Sequence, residues 1–424
     1  MTVINFLILI LAGRDIWIEG GKEVVSIWQQ QLSIINPSLL VVLLCFLVFW
    51  RLKITIIKNY LLFILLTFLI VPIFFGLYSG ALLGESVLLE VIVDLKFSLM
   101  LIIGIILANN ILDNKILELN DLLKIVFIIF CGRHLVDFFY YIIGYGPYFS
   151  GIANRVSLDS LKGAVILIAY YSIFKIYEKG RNIFYFIPLL LSSLLLFVYS
   201  TRMLWVTFLI GLILLFFIIG GRKRIKFIVT LPILITLFFI IMRMPIFELQ
   251  YTRLMTVVEG RSSEDMVVNV DYNFLSRIDP VRYAQYINVF YSIKSDISLF
   301  FGKGIGGYYE NYPLVVPNTL EAAYPAYSYE SGKYYKTHDM ASHIILKFGV
   351  IGLLVYIYLY FLCFKGWFNI VKIYNNSLVK AYFCLLPTVM LQFYWSGKNL
   401  IFAGIFLGIG IMGLKLFKDE KSNC

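Results

Sequence analysis

The chain has 424 residues, of which 61% are hydrophobic and 14% charged. A soluble domain carries roughly 25% charged residues, so this composition excludes an ordinary soluble enzyme and points to a protein embedded in a bilayer. The net charge of +11 would suit nucleic acid, but much of it sits in short turns between apolar runs, where basic residues set membrane orientation; no nucleic-acid partner is expected.

Apolar runs approaching the roughly 20 residues of a spanning helix follow one another along the chain. Val3–Ala12 is short unless it continues through Ile16–Ile18, and the polar segment Arg14–Gln31 follows it. Then come Leu39–Trp50, Tyr60–Tyr78, Val91–Ala108, Leu122–Ile143, Gly163–Tyr177, Ile183–Tyr199, Met203–Gly220 and Phe227–Met242. A long polar stretch, Pro245–Asp339, separates these from Met340–Cys363, Leu378–Trp395 and Leu400–Leu416. The expected fold is an all-α polytopic membrane protein with about 12 transmembrane helices. One large, partly helical, outward-facing loop lies between the ninth and tenth spans. The expected organisation is therefore an N-terminal bundle over 1–244, the loop over 245–339, and C-terminal helices with a short tail over 340–424.

Basic residues cluster in alternate turns: Arg51, Lys53 and Lys58; Lys175, Lys179 and Arg181; Arg222, Lys223, Arg224 and Lys226; Lys365, Lys372 and Lys380; and Lys415, Lys418 and Lys421 in the tail. Turns such as Gly80–Glu90 and Trp395–Asn399 are poor in them. The positive-inside rule then puts both termini in the cytoplasm and the loop outside. No cleavable signal is expected, since the N-terminus lacks a basic n-region and an A-x-A-like site. Cys45, Cys131, Cys363 and Cys384 fall in apolar runs and Cys424 ends the chain; with no CxxC pair, neither disulfides nor a zinc site is expected. The nine-and-three split of spans also argues against a transporter built from two matching inverted repeats.

Several polar groups need a reason. Arg202, in Tyr199-Ser200-Thr201-Arg202 at an outward junction of two spans, reads either as a snorkelling anchor or as a phosphate ligand in an outward cavity. Arg133 and Asp137 interrupt one span beside His134; four residues apart, they share a helix face and can pair, or they can face a functional cavity. Asp94 and Lys96 pose the same question. In the loop, Arg277-Ile278-Asp279-Pro280-Val281-Arg282 reads as a helix start, with Asp279 as N-cap and Pro280 at the first helical position. That helix is expected to run to about Ser295, with Val281, Ala284, Ile287 and Tyr291 on one face. Arg277 and Arg282 near its N-terminus make a diphosphate cradle, although the Asp279 carboxylate competes for the same amides; the other reading is a solvated amphipathic helix lying on the membrane.

Phe300-Phe301-Gly302-Lys303-Gly304-Ile305-Gly306-Gly307 is a turn that does not match the phosphate-loop pattern. Tyr308, Tyr309, Tyr312, Tyr324, Tyr327, Tyr329, Tyr334 and Tyr335 follow; they suit a membrane interface or, as rings with a polar tip, sugar. His338 and Asp339 stand where the loop re-enters the membrane. An imidazole there is either structural or a general base, and His343, five residues on, does not share its helix face for a metal pair.

Four of these features together resemble the O-antigen polymerase and O-antigen ligase superfamily of bacterial envelope enzymes. They are Ser200-Thr201-Arg202; Asp279-Pro280-Val281-Arg282; the Phe300–Gly306 turn; and His338-Asp339 followed by Phe348-Gly349-Val350-Ile351-Gly352. The resemblance covers roughly residues 200–353. One departure is Asp339, where the family often has Asn. The resemblance implies a membrane glycosyltransferase of the bacterial inner membrane, without cofactor or metal, whose partners are an undecaprenyl-diphosphate-linked oligosaccharide, membrane lipid and a chain-length regulator protein. It further implies Arg202, Arg277 and Arg282 as diphosphate ligands, His338 as the base that activates a sugar hydroxyl, and Asp339 and Asp279 in support. The leading expectation is a polymerase; a ligase acting on lipid A core and a lipid-linked oligosaccharide flippase are the alternatives.

Overall fold

In the computed structural model, the described residues are 64, 66–78, 85–113, 118–142, 162–179, 183–199, 202–219, 280–294, 297–314, 328, 331–337, 340–392 and 397–422. A π-helical turn, Leu66–Ile70, leads into α1 (Val71–Tyr78). Then follow α2 (Glu85–Asp113), α3 (Leu119–Ile142), α4 (Lys162–Lys179), α5 (Ile183–Tyr199) and α6 (Arg202–Ile218). The loop contributes α7 (Pro280–Ile293), the short α8 (Ser298–Phe301), and two-residue strands β1 (Tyr309–Glu310) and β2 (Lys333–Tyr334). Three helices close the chain: α9 (Met340–Tyr374), α10 (Ser377–Gln392) and α11 (Gly397–Ser422). The early spans expected at Val3–Ala12 and Leu39–Trp50, the span Phe227–Met242, and the basic turns at 51–58 and 222–226 lie outside the described residues.

The helices sit where the apolar runs predict them, and α5 has the expected bounds. Helix α9 is long and apolar enough to cross a membrane, and shorter apolar runs occur in α2, α5, α6, α10 and α11. Large apolar side chains cover the outside of these helices: Phe184 and Leu190 on α5, Ile213 and Phe217 on α6, Leu354 and Phe361 on α9. Water would not favour so many exposed large apolar side chains, whereas lipid does. The chain is a helical membrane protein. Helix α2 outruns the expected Val91–Ala108 by several residues at each end, and two boundaries near the C-terminus differ as well. Helix α9 continues eleven residues past Cys363, so Lys365 and Lys372 lie on its exposed surface instead of in a turn. Helix α11 likewise carries Lys415, Lys418 and Lys421 within its last turns. Long basic side chains do not end a helix; they are good helix formers and complement its C-terminal dipole.

The Cα framework divides into two units. The first comprises 1–69, 95–215 and 356–424. Here α4 packs on α5 and α10, and α3 on α4. Small residues set the spacing of the C-terminal helices. A Cβ on Gly410 would meet the Cα of Cys363 at 2.8 Å, and one on Gly408 would meet the Cβ of Ala108 at 2.8 Å. Gly404 and Gly408 of α11 thus form a small-xxx-small seam, the means by which membrane helices approach closely without a hydrophobic drive. The buried indole of Trp367 donates to the Phe406 carbonyl (3.0 Å). Near the C-terminal end of α4, Glu178 accepts from Ser377, with Lys175 and Lys380 each 3.7 Å away.

The second unit comprises 70–94 and 216–355. Its described core is α1, the start of α2, α7, α8, the hairpin-like pair β1–β2 and the first part of α9. The strands are antiparallel, with Tyr309 opposite Tyr334 and Glu310 opposite Lys333. Tyr309 and Tyr334 are buried and stacked at 5.4 Å, packed with Val289 and Leu346. Burial raises the Tyr334 phenol above its usual range.

Candidate functional site

The Gly302–Gly307 turn is held from three sides within the second unit. Helix α9 is not continuous: Gly349 has φ 67° and ψ −167°, which breaks the helix after Phe348. A left-handed φ of this kind suits glycine, which has no Cβ to clash. The break frees the carbonyls of Leu346 and Lys347, which would otherwise bond to amides four residues on. The turn supplies substitutes: Lys303 N donates to Leu346 O (2.7 Å), and Gly304 N donates to Lys347 O (3.2 Å). Opposite, Ile305 N donates to Pro72 O in α1 (2.9 Å), and the rings of Phe75 and Phe301 stack at 4.8 Å. Gly302 and Gly349 mark the contact between the turn and α9, because a Cβ on Gly302 would collide with the Lys347 backbone and one on Gly349 with that of Phe300. What reads in the sequence as two weak glycine motifs, the turn and the run after His338, is one packed joint.

A buried ion pair fastens the third side. Lys347 Nζ lies 2.5 Å from Asp94 Oδ2, and their side chains are 0% and 3% exposed. Asp94 Oδ2 also accepts from Gly306 N (2.8 Å), and Lys347 Nζ donates to Gly307 O (2.6 Å). His343 is buried with its Nε2 4.0 Å from Asp94 Oδ1. A buried charge is tolerated when it is paired and hydrogen-bonded, as both of these are. Sequence reasoning set Asp94 beside Lys96 and missed Lys347. The available signal was a second charge of opposite sign in an apolar run, since such groups face the interior and find each other.

Helix α7 begins at Pro280 as expected and places Arg282 in its first turn, half-buried. Its buried face is not the expected one. Ala284, Gln285, Asn288, Val289 and Ile293 point inward, while Tyr286, Phe290 and Tyr291 are exposed. The cause is Asn288, whose amide clamps a neighbouring turn: Nδ2 donates to Leu314 O (2.6 Å), and Leu314 N donates to Oδ1 (3.0 Å). Backbone groups that need partners draw a polar face inward and turn aromatic rings out. Arg202 opens α6 in the first unit. Arg277, Asp279, His338 and Asp339 lie outside the described residues, as do Tyr324, Tyr327 and Tyr329. Arg133, His134 and Asp137 lie in α3.

The tyrosine run separates by environment. Tyr309, Tyr334 and Tyr335 belong to the core and are unavailable to sugar. Tyr308 and Tyr312 instead line a cleft of about 320 Å³ with Tyr291, Ser292, Lys303, Gly307 and Glu310. Tyr291 and Tyr312 meet edge to face at 5.0 Å. Lys294 sits 3.2 Å from the Tyr291 ring centroid and Lys333 4.7 Å from that of Tyr308. A hydrogen bond from Tyr312, then Lys294, hold the Tyr291 phenol below its usual range, and the Tyr312 phenol is raised by the same pairing.

Residues 187–357 match the sequence model of the family described as O-antigen ligase. No curated protein matches the chain significantly. Members of the matched family are membrane glycosyltransferase-like enzymes that act on lipid-linked oligosaccharides. The matched segment holds the joint between the Gly302–Gly307 turn and Gly349, helix α7 and the cleft, and over these residues the chain is similar to the O-antigen ligase family.

Proposed function

We propose that this protein is a polysaccharide polymerase of the bacterial inner membrane. It transfers a glycan from undecaprenyl diphosphate to a sugar hydroxyl of another lipid-linked repeat unit, at the outer face. One observation carries the reading: Arg202, Arg277, Asp279, Arg282, His338 and Asp339 all fall inside the matched segment 187–357. In the transfer, the acceptor hydroxyl oxygen bonds to the donor's anomeric carbon, the bond from that carbon to the diphosphate breaks, and the hydroxyl proton goes to the His338 imidazole. A positioned base contributes typically about 10²–10⁴-fold. Guanidiniums at Arg202, Arg277 and Arg282 meet the charge that grows on the leaving diphosphate, where preorganised electrostatics supplies the largest contribution. Asp339 orients His338, and Asp279 caps the helix that carries Arg282. In this reading about twelve helices span the bilayer, both termini are cytoplasmic, and a chain-length regulator protein is a partner.

The second reading is the ligase, favoured by the description of the matched family; its acceptor would be lipid A core. Glycans extracted from a deletion strain separate the readings. Single-repeat caps mark a polymerase, unattached long chains a ligase, and repeats held on the cytoplasmic side a flippase. Wild-type protein should restore long chains. His338→Ala should not, although it inserts normally and still binds lipid diphosphate. Normal chain lengths with His338→Ala at normal expression would remove that residue from the role of base.

A further inference from the structure

The cleft beside α7 has the size and chemistry of a sugar subsite. Its volume, about 320 Å³, is at the lower end of small-ligand sites, which run from about 300 to 1,000 Å³, and suits one or two pyranose rings. Three phenol rings line it, and two of them, Tyr291 and Tyr312, are 38% and 57% exposed. Aromatic rings that are not buried in a core offer an apolar face with a polar tip, which matches the C–H face and hydroxyl rim of a sugar. Lys303 and Glu310 also line the cleft. An ammonium only donates hydrogen bonds and a carboxylate only accepts them. A hydroxyl, which does both, can bond to either group.

The wall is also rigid. Lys303 N is bonded to Leu346 O, and Gly307 O receives Lys347 Nζ. Tyr309, next to the cleft-lining Tyr308, is buried and stacked on Tyr334. Glu310 is fixed by the ladder opposite Lys333. A wall whose backbone is held in this way reduces what binding must spend on ordering the chain.

We infer that this cleft binds a hydroxyl-rich monosaccharide unit of the glycan, stacked on Tyr312 with its hydroxyls between Lys303 and Glu310. The inference rests on the glycan-transfer reading for the identity of its ligand. The test uses full-length protein in lipid nanodiscs and, as probe, the repeat-unit oligosaccharide released from the host's polyprenyl diphosphate by mild acid. Binding is followed by saturation-transfer NMR, beside its O-methylated form. Wild type should bind the free oligosaccharide and lose most of that binding to the methylated form. Tyr312→Ala and Glu310→Gln should each raise Kd about tenfold, the scale of one lost stacking or hydrogen-bonding contact. Tyr286→Ala, an exposed tyrosine of α7 outside the cleft, should leave Kd unchanged. Unchanged Kd in a folded Tyr312→Ala protein, or no binding to wild type, overturns the site. The same preparation is assayed for transfer from the lipid-linked donor. Tyrosine-dependent binding without transfer would sink the transferase reading and leave the subsite standing; transfer with tyrosine-independent binding would do the reverse.

Discussion

Arg282 is the member of the diphosphate set whose side-chain environment is described, half-buried in the first turn of α7. Its position follows from Pro280, which fixes the helical φ without needing an amide partner, so that Arg282, two residues on, brings a guanidinium to the positive end of the helix. A cation there is not explained by the helix dipole, which favours anions, and the partner that the proposed mechanism gives it is an anionic ligand. If that partner is a diphosphate gripped by a forked pair of donors, Lys cannot replace it, because Lys offers a point charge. Arg282→Lys should then slow glycan transfer by about 10- to 100-fold, the equivalent of about 1.5–3 kcal/mol for a hydrogen bond to a charged group. The same change at Arg253 or Arg261, arginines of the long polar stretch outside the Arg277–Arg282 motif, should be tolerated. Equal tolerance at all three positions in an in vitro transfer assay would favour a solvated helix instead. The start of this helix was legible because its signals are local, whereas its inward face was not. Asn288 reads as a surface residue by composition, and only the distant Leu314 backbone explains why it is buried.

Among the elements, the joint between α9, α1 and the Gly302–Gly307 turn depends on the Asp94–Lys347 pair. Removing one partner leaves a buried charge alone and costs about 3–5 kcal/mol, whereas removing both for apolar groups of similar volume is often nearly neutral. Lys347→Met and Asp94→Leu should each lower the unfolding midpoint of the detergent-solubilised protein strongly. The double variant should be more stable than either single one, with the loss of the Gly306 and Gly307 contacts as its residual cost. Additive losses across this cycle would mean that the two side chains act independently. Each glycine of the joint was visible in the sequence. Their meeting was not, because a turn and a helix break some forty residues apart carry no local mark of facing each other.

For the whole molecule, the alternation of basic turns in the sequence predicts that the stretch from Pro245 to Asp339 lies on the outside. A reporter active only after export, fused near Glu264, should be active; activity of a cytoplasmic reporter there would overturn the orientation and the proposed mechanism with it. Helix positions were largely readable because membrane spans announce themselves by composition alone. Helix ends were less so, since Lys365 and Lys372 look like a turn and are the exposed face of a continuing helix. The close seam of α11 with α2 was readable in principle from Gly404 and Gly408, but apolar periodicity gives no weight to a missing side chain.

The broken helix at Gly349 also constrains how the protein is made. Its Leu346 and Lys347 carbonyls are buried, and their substitute donors lie at Lys303 and Gly304. Those donors leave the ribosome first, so the turn is waiting when the helix is synthesised. A chain permuted to begin after the turn would make the half-helix before its substitute donors, leaving the Leu346 and Lys347 carbonyls without partners. The order of segments in the gene therefore doubles as an assembly instruction.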